Sequence, residues 1–179
     1  MLTDTDKTFL LQLSRRTLKE YLETRQFKIE KDIPSSLKQK TGVFITLYDN
    51  TQQRGESGKM IPNQFLCELV QSLVVQAAVG DPLFPPLHQE ELPRIRIEIS
   101  VLSIFRKMKT IEDLDIGHHG ISITLLDHQG FLLPKVAIGN HWDKLTFLAQ
   151  VCQKAGLSSH AWRDPRAQVG ICIVDTFSE

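Results

Sequence analysis

At 179 residues, with 41% hydrophobic and 23% charged side chains, the chain has an ordinary globular composition, which excludes disordered, collagen-like and coiled-coil architectures. Its 21 lysines and arginines balance 21 aspartates and glutamates, so nothing in the charge calls for a polyanionic partner. Aromatic residues are not interleaved with basic ones, which argues against RNA binding and leaves no nucleic acid expected. The length suits one domain or two intimately packed subdomains, with roughly 70% of the unfolded chain's surface buried on folding.

The first predicted element is a long amphipathic helix over residues 4–25. Phe9, Leu10, Leu13, Thr17, Leu18, Tyr21 and Leu22 follow a three-four spacing, with Thr3 as cap and Asp4 and Asp6 in the first turn. Pro34 and the polar stretch 35–42 form a connection. Val43 to Tyr48 reads as a strand, Asp49-Asn50 as a turn, and Gln52 to Gly58 as the hairpin partner. A largely buried helix follows from about Asn63 to Val79, stopped by Gly80-Asp81-Pro82, with Pro85-Pro86 keeping the next segment extended or turned. Arg94 to Leu102 alternates strictly, Ile95, Ile97, Ile99 and Val101 on one face, which predicts a half-buried strand.

Beyond it, Thr110 to Asp115 reads as a short capped turn and Gly120 to Leu126 as a strand. His128-Gln129-Gly130 is the expected turn and Phe131 to Leu133 the return. A third helix starts near Asp143 and ends at Gly156, and a last strand covers Gln168 to Val174. Strands joined mostly by hairpins, with about three main helices set apart, predict an α+β fold on a mainly antiparallel sheet.

The opening Met1-Leu2-Thr3-Asp4-Thr5-Asp6-Lys7 is acidic and polar where a signal peptide carries a basic start and an apolar run. The most apolar run, Leu73 to Val79, is far short of the roughly 20 residues of a membrane helix. Cys67, Cys152 and Cys172 are odd in number, lie in apolar segments and contain no Cys-x-x-Cys pair. Buried thiols in a reducing cytoplasm, with no membrane association, are expected.

Candidate chemistry is sparse. Arg54-Gly55-Glu56-Ser57-Gly58-Lys59 resembles the end of a phosphate loop, but that loop needs glycine at 53 and serine or threonine at 60, where the chain has Gln53 and Met60. The histidines include an adjacent pair, His118 and His119, which point to opposite faces of an extended segment. His88, His128, His141 and His160 have no local partner at ligand spacing, so no metal and no cofactor is expected. No Gly-x-Ser-x-Gly elbow is present. If 52–58 is a regular strand, Arg54 and Glu56 share a face at about 6.5 Å, and Gly55 leaves room on the other face.

Several segments are recognisable together. They are Gly42 to Leu47, Arg54-Gly55 with Gly58, Ala77-Ala78 with Asp81 to Pro86, Glu91-Leu92-Pro93 and Ile97 to Ser103. Ile116 to Gly120, Phe131 to Ala137 with Lys135 inside it, Trp142-Asp143, Phe147-Leu148 and Cys152 to Leu157 follow in order. In order and spacing they resemble the AMMECR domain family, also called AmmeMemoRadiSam system protein A, over residues 5 to 177.

The resemblance implies a single AMMECR-like domain over residues 1–179, built as a compact α/β protein of two subdomains with a cleft. The family has no established reaction. Its microbial members are associated with a Memo-like protein and a radical SAM enzyme. The family hallmark Leu-Arg-Gly-Cys-Ile-Gly reads here Gln53-Arg54-Gly55-Glu56-Ser57-Gly58. The missing cysteine puts thiol chemistry at this position out of reach and marks a diverged member.

Two functions follow from this reading. The first is a cytoplasmic accessory protein that binds a Memo-like or radical SAM partner. The second is an enzyme working on a small anionic or nucleotide-like substrate, with Arg54 holding the anion, Glu56 as base and His119 as proton relay. The expected ligand- or partner-binding residues are Arg54, Gly55, Glu56, Gly58, His119 and Lys135. The binding role is preferred, because no mechanistic constellation stands in the sequence.

Overall fold

The computed structural model describes residues 2–179. The fold is α+β and rests mainly on antiparallel strands. The chain divides into two compact units, one running up to Val101 and taking in Asp175–Glu179, the other Leu102–Val174.

The first unit begins with α1 (Asp4–Thr24). Its start is set by a capping box: Thr3 Oγ1 accepts from the Asp6 backbone N–H at 3.2 Å and the Asp6 carboxylate accepts from the Thr3 N–H at 3.0 Å. Ser36 Oγ and Thr3 Oγ1 also donate to that carboxylate, at 2.6 and 2.7 Å, and these side-chain bonds, with that from the Thr3 N–H, hold the Asp6 carboxyl below its usual range. Strands β1 (Val43–Asp49), β2 (Gln52–Lys59) and β3 (Ile95–Leu102) form the sheet in the order β2-β1-β3. Val43, Ile45 and Leu47, with Ile95, Ile97 and Ile99, turn their side chains into the core. The helices, α1 and α2 (Leu66–Val79), supply Leu10, Leu13, Leu18, Leu69, Val70 and Val74 to that same core.

The second helix begins at Leu66 rather than Asn63. Its first free N–H, on Leu66, is satisfied by the Gln39 carbonyl at 2.8 Å, so a distant segment provides what a capping side chain otherwise would. Gln71, almost fully buried on α2, donates to Thr17 Oγ1 and the Lys28 carbonyl and accepts from the Glu30 N–H. One carboxamide thus pins the segment after α1.

The last strand, β7 (Gln168–Ser178), runs past the expected end at Val174. Its final residues join the first unit: Glu179 N–H donates to the Ile97 carbonyl, and the Ser100 and Thr176 hydroxyls lie 2.9 Å apart. Lys7 pairs with Asp175 at 2.7 Å and sits over the Phe177 ring, while Arg15 pairs with Glu179.

In the second unit, β5 (His119–Leu125) lies between β6 (His128–Leu132) and β7, and the short β4 (Arg106–Lys107) pairs with β7. A short helix α3 (Pro134–Gly139), which the sequence reading leaves out, starts at a proline. Helix α4 (Lys144–Lys154) is capped by Asp143, whose carboxylate accepts from the Thr146 N–H at 2.7 Å. Ile121, Ile123, Phe147, Leu148, Val151 and Ile171 form this unit's core.

The hairpin turn is displaced from its expected place. It falls on Leu126-Asp127, with Leu126 at φ 55°, and residues 128–130 are strand. Gly130 is there for space: a Cβ on it would stand 2.8 Å from the Val151 carbonyl of α4 and from the nitrogen of Ala155, the residue that ends the helix.

A close backbone-to-backbone contact of the first unit lies between β2 and the last turn of α2. A Cβ at Gly55 would fall 2.1 Å from the Ala77 carbonyl oxygen, and both sides of that clash are backbone. No rotamer change relieves it. Gly55→Ala is therefore expected to lower stability by about 3 kcal/mol, the upper end of overpacking costs, as read from urea unfolding. A loss within experimental error would show that α2 moves freely against the sheet.

Candidate functional site

The pairing of β1 with β2 is regular from Val43 to Leu47 and then shifts. Leu47 pairs with Gly55 but Tyr48 pairs with Gln53, which leaves Arg54 as the extra residue of a β-bulge. A bulge breaks strict alternation and re-aims the side chain it carries. The expected side-by-side pair of Arg54 and Glu56 is accordingly replaced by a different arrangement.

Arg54 forms a bidentate pair with Glu91, Nε to Oε1 at 2.9 Å and Nη2 to Oε2 at 3.1 Å, and its Nη1 donates to the Pro85 carbonyl at 2.9 Å. Its side chain is only 14% exposed. The Arg54 hydrogen bond, above all, holds the Glu91 carboxyl below its usual range, with a second bond from the His88 N–H acting the same way. The guanidinium is thus committed to the chain itself.

Glu56 belongs to a different neighbourhood. Its carboxylate accepts from the Thr46 hydroxyl at 3.0 Å, and its backbone N–H donates to Asp81 Oδ2 at 2.7 Å. Thr46 is 1% exposed and pairs in register with Glu56 on one side and Glu98 on the other. Tyr48 Oη donates to Glu98 at 3.4 Å, Arg96 lies 3.7 Å from the same carboxylate, and the Arg96 guanidinium stacks on the Tyr48 ring at 4.5 Å. The result is a polar stripe of Glu56, Thr46, Glu98, Tyr48 and Arg96 across three strands. Gly58 faces Phe44 across the pair, its missing Cβ taken up by the Phe44 ring.

The other two expected residues stand in the second unit. His119, at the start of β5, accepts at Nδ1 from the Asp115 N–H at 3.0 Å. An accepting Nδ1 carries no proton, so the ring is neutral with its hydrogen on Nε2. Burial, and then the charge of Arg106, push its pKa down, which agrees with that state. His118 instead faces solvent and lies 3.2 Å from the Asp115 carboxylate. Lys135 lies half-buried in the first turn of α3.

All three thiols are buried, and burial pushes Cys67 up to about 11 and Cys172 up to about 12, so neither supplies a thiolate near neutral pH. Among the described residues no group of three or more histidine, cysteine, aspartate or glutamate side chains is arranged to hold a metal ion, and no helix is long and apolar enough to cross a membrane.

Sequence reasoning found Arg54, Gly55 and Glu56 but missed their partners. Thr46, Asp81, Glu91 and Glu98 sit in segments that carry the family resemblance, and that was the one signal pointing to them.

These features define an α+β protein whose hallmark strand carries a tied-down arginine on a bulge and a carboxylate on an adjoining polar stripe. The AMMECR1 family model matches residues 11–174, and the chain belongs to that family. A protein of Methanopyrus kandleri is 36% identical over 99% of this chain and 90% of its own length. One of Nanoarchaeum equitans is 35% identical over 95% and 98%. The crystal structure of an uncharacterized protein from Pyrococcus horikoshii matches with a TM-score of 0.94 at 32% identity, over 99% of this chain and 93% of that one.

Arg54→Ala should cost about 2 kcal/mol at neutral pH, the scale of hydrogen bonds to a charged partner. Because folding lowers the Glu91 pKa, the pair's contribution is complete above the usual value of 4.5 and is lost as pH falls through the lower folded value. Wild-type and variant stabilities, measured by denaturant unfolding from pH 7 to pH 3, should therefore converge in acid. A constant gap would mean that the arginine acts through packing alone.

Proposed function

We propose that this AMMECR1-family chain acts as one domain over residues 1–179 and works in the cytoplasm as an accessory binding protein. Its partner is a Memo-like or radical SAM protein, and it contributes contacts rather than chemistry of its own. The observation that carries this reading is the Glu56 carboxylate, hydrogen-bonded at 3.0 Å to Thr46 where the family hallmark has a cysteine. A carboxylate so placed takes a donor or a cation. It offers no thiolate for attack.

The enzymatic alternative needs Arg54 to hold an anion, and its Nε, Nη1 and Nη2 are already engaged by Glu91 and Pro85. It also needs His119 as a relay, and Nδ1 of that ring is already occupied by the Asp115 N–H. Support for that reading is correspondingly smaller.

Co-expression with a Memo-like protein and, separately, a radical SAM protein tests the proposal, with complex formation read by size exclusion and light scattering. One of the two is expected to co-elute with the wild type, and Glu56→Lys is expected to abolish the complex while the variant, though less stable for the lost Thr46 bond, still unfolds cooperatively and elutes as folded protein. Absence of a complex with both, or a complex indifferent to Glu56→Lys, overturns the assignment.

A further inference from the structure

Two segments far apart in sequence meet at the start of α2. The Leu66 N–H donates to the Gln39 carbonyl at 2.8 Å, and the Lys40 ammonium stands 5.5 Å from the centre of the Phe65 ring. Lys59, the last residue of β2, reaches Asn63 Oδ1 at 3.4 Å across a loop that holds Met60, Ile61 and Pro62. Asn63 and Phe65 are two residues apart, with their Cα atoms at most about 7 Å from one another, so this loop stays beside residues 38–40.

Charge and apolar surface coincide here. Lys38, Lys40 and Lys59 are all exposed, and among the described residues none of the three has a carboxylate as partner. Residues 38–43 and 57–67 contain no aspartate or glutamate, and Glu68, half-buried in the first turn of α2, is the first acid reached beyond them. Ile61 is 74% exposed and Phe65 44%. The kind of charge narrows what the patch faces. Carboxylates, phosphates and bases held in a defined geometry favour the planar fork of arginine, and protein interfaces are depleted in lysine. This patch has lysine alone. A hydrated point charge on a flexible stem suits a diffuse anionic surface, and an aliphatic and a phenyl side chain beside it suit the boundary between headgroups and acyl chains.

We propose that this patch docks onto an anionic lipid bilayer, with Lys38, Lys40 and Lys59 among the headgroups and Ile61 and Phe65 at the acyl boundary. No helix of the described residues is long and apolar enough to cross a membrane, and none is needed, because a peripheral contact rests on surface charge and shallow burial. The expectation of no membrane association rests on apolar runs and on the first residues, and neither registers a patch that the fold assembles from two segments. Glu56 is not part of this patch, so its failure and that of the partner-binding reading are told apart.

The full chain is sedimented with sucrose-loaded vesicles of phosphatidylcholine alone or of equimolar phosphatidylcholine and phosphatidylglycerol. It should bind the anionic vesicles and leave the neutral ones. Raising the salt from about 0.1 to 1 M, which shortens the Debye length from about 10 to 3 Å, should release it. Each of Lys38→Gln, Lys40→Gln and Lys59→Gln should weaken binding about fivefold, the effect of one lysine at an anionic surface, and the triple variant about a hundredfold. Ile61→Ser, at an exposed position, should weaken it as well while the unfolding curve stays in place. Polyuridylate and polyglutamate, titrated by fluorescence anisotropy, represent nucleic acid and an acidic protein. Four results overturn the proposal: no binding to anionic vesicles, equal binding to both kinds, affinity unchanged in the triple variant or in Ile61→Ser, or polyuridylate or polyglutamate bound in place of the anionic vesicles.

Discussion

Ala77 and Gly55 meet backbone to backbone, and much of the first unit is arranged around that contact. Because nothing stands between strand β2 and the last turn of α2, the residues that follow the helix emerge beside the strand. Asp81 is the first of them with a side chain to use. Its carboxylate accepts from the Glu56 N–H at 2.7 Å and from the Leu83 N–H at 2.8 Å, closing a turn and capping one outward-facing donor of β2. Pro85 then presents its carbonyl to Arg54, and Glu91 completes the hold. An edge strand left bare invites pairing with other chains. Here the loop after α2 covers it, and the bulge at Arg54 is the local distortion that lets the arginine reach that loop.

The same contact separates two roles that sequence alone places side by side. Arg54 and Glu56 are two residues apart in a motif of alternating function, yet one is bound to the loop over the strand edge and the other to the neighbouring strand. The bidentate geometry and low exposure of the Arg54–Glu91 pair place it above the ordinary surface ion pair, which contributes about 0–1 kcal/mol. Losing either partner leaves a charge that is neither fully hydrated nor matched, which is why the arginine belongs to the architecture first.

The fold was readable where a pattern is local. The three-four spacing of α1, its Thr3 cap and the alternation of 95–101 each follow from a few neighbouring residues. It was unreadable where the reason lies elsewhere in the chain. Gly130 looks like a turn residue, but it is a strand residue whose missing side chain admits α4. Asp175 and Thr176 interrupt the apolar alternation of the last strand because their partners are Lys7 and Ser100, far away in sequence. The bulge at Arg54 depends on the register of β1, and a register is a property of two strands. Glu91 lies 37 residues from the arginine it holds, and no spacing rule connects them.

Glu56 shapes what this face can receive. A carboxylate on a sheet needs a donor, and the Thr46 hydroxyl, nearly inaccessible to solvent, is in register to provide one. The second carboxylate, Glu98, stands on the far side of the same threonine and is offset by Arg96 at 3.7 Å and by the Tyr48 hydroxyl. Opposite charges attract more strongly where water is partly excluded. With Arg54 withdrawn into the fold by Glu91 and Pro85, the face offers an anion none of that guanidinium's donors, the reverse of what an exposed arginine in the motif would present.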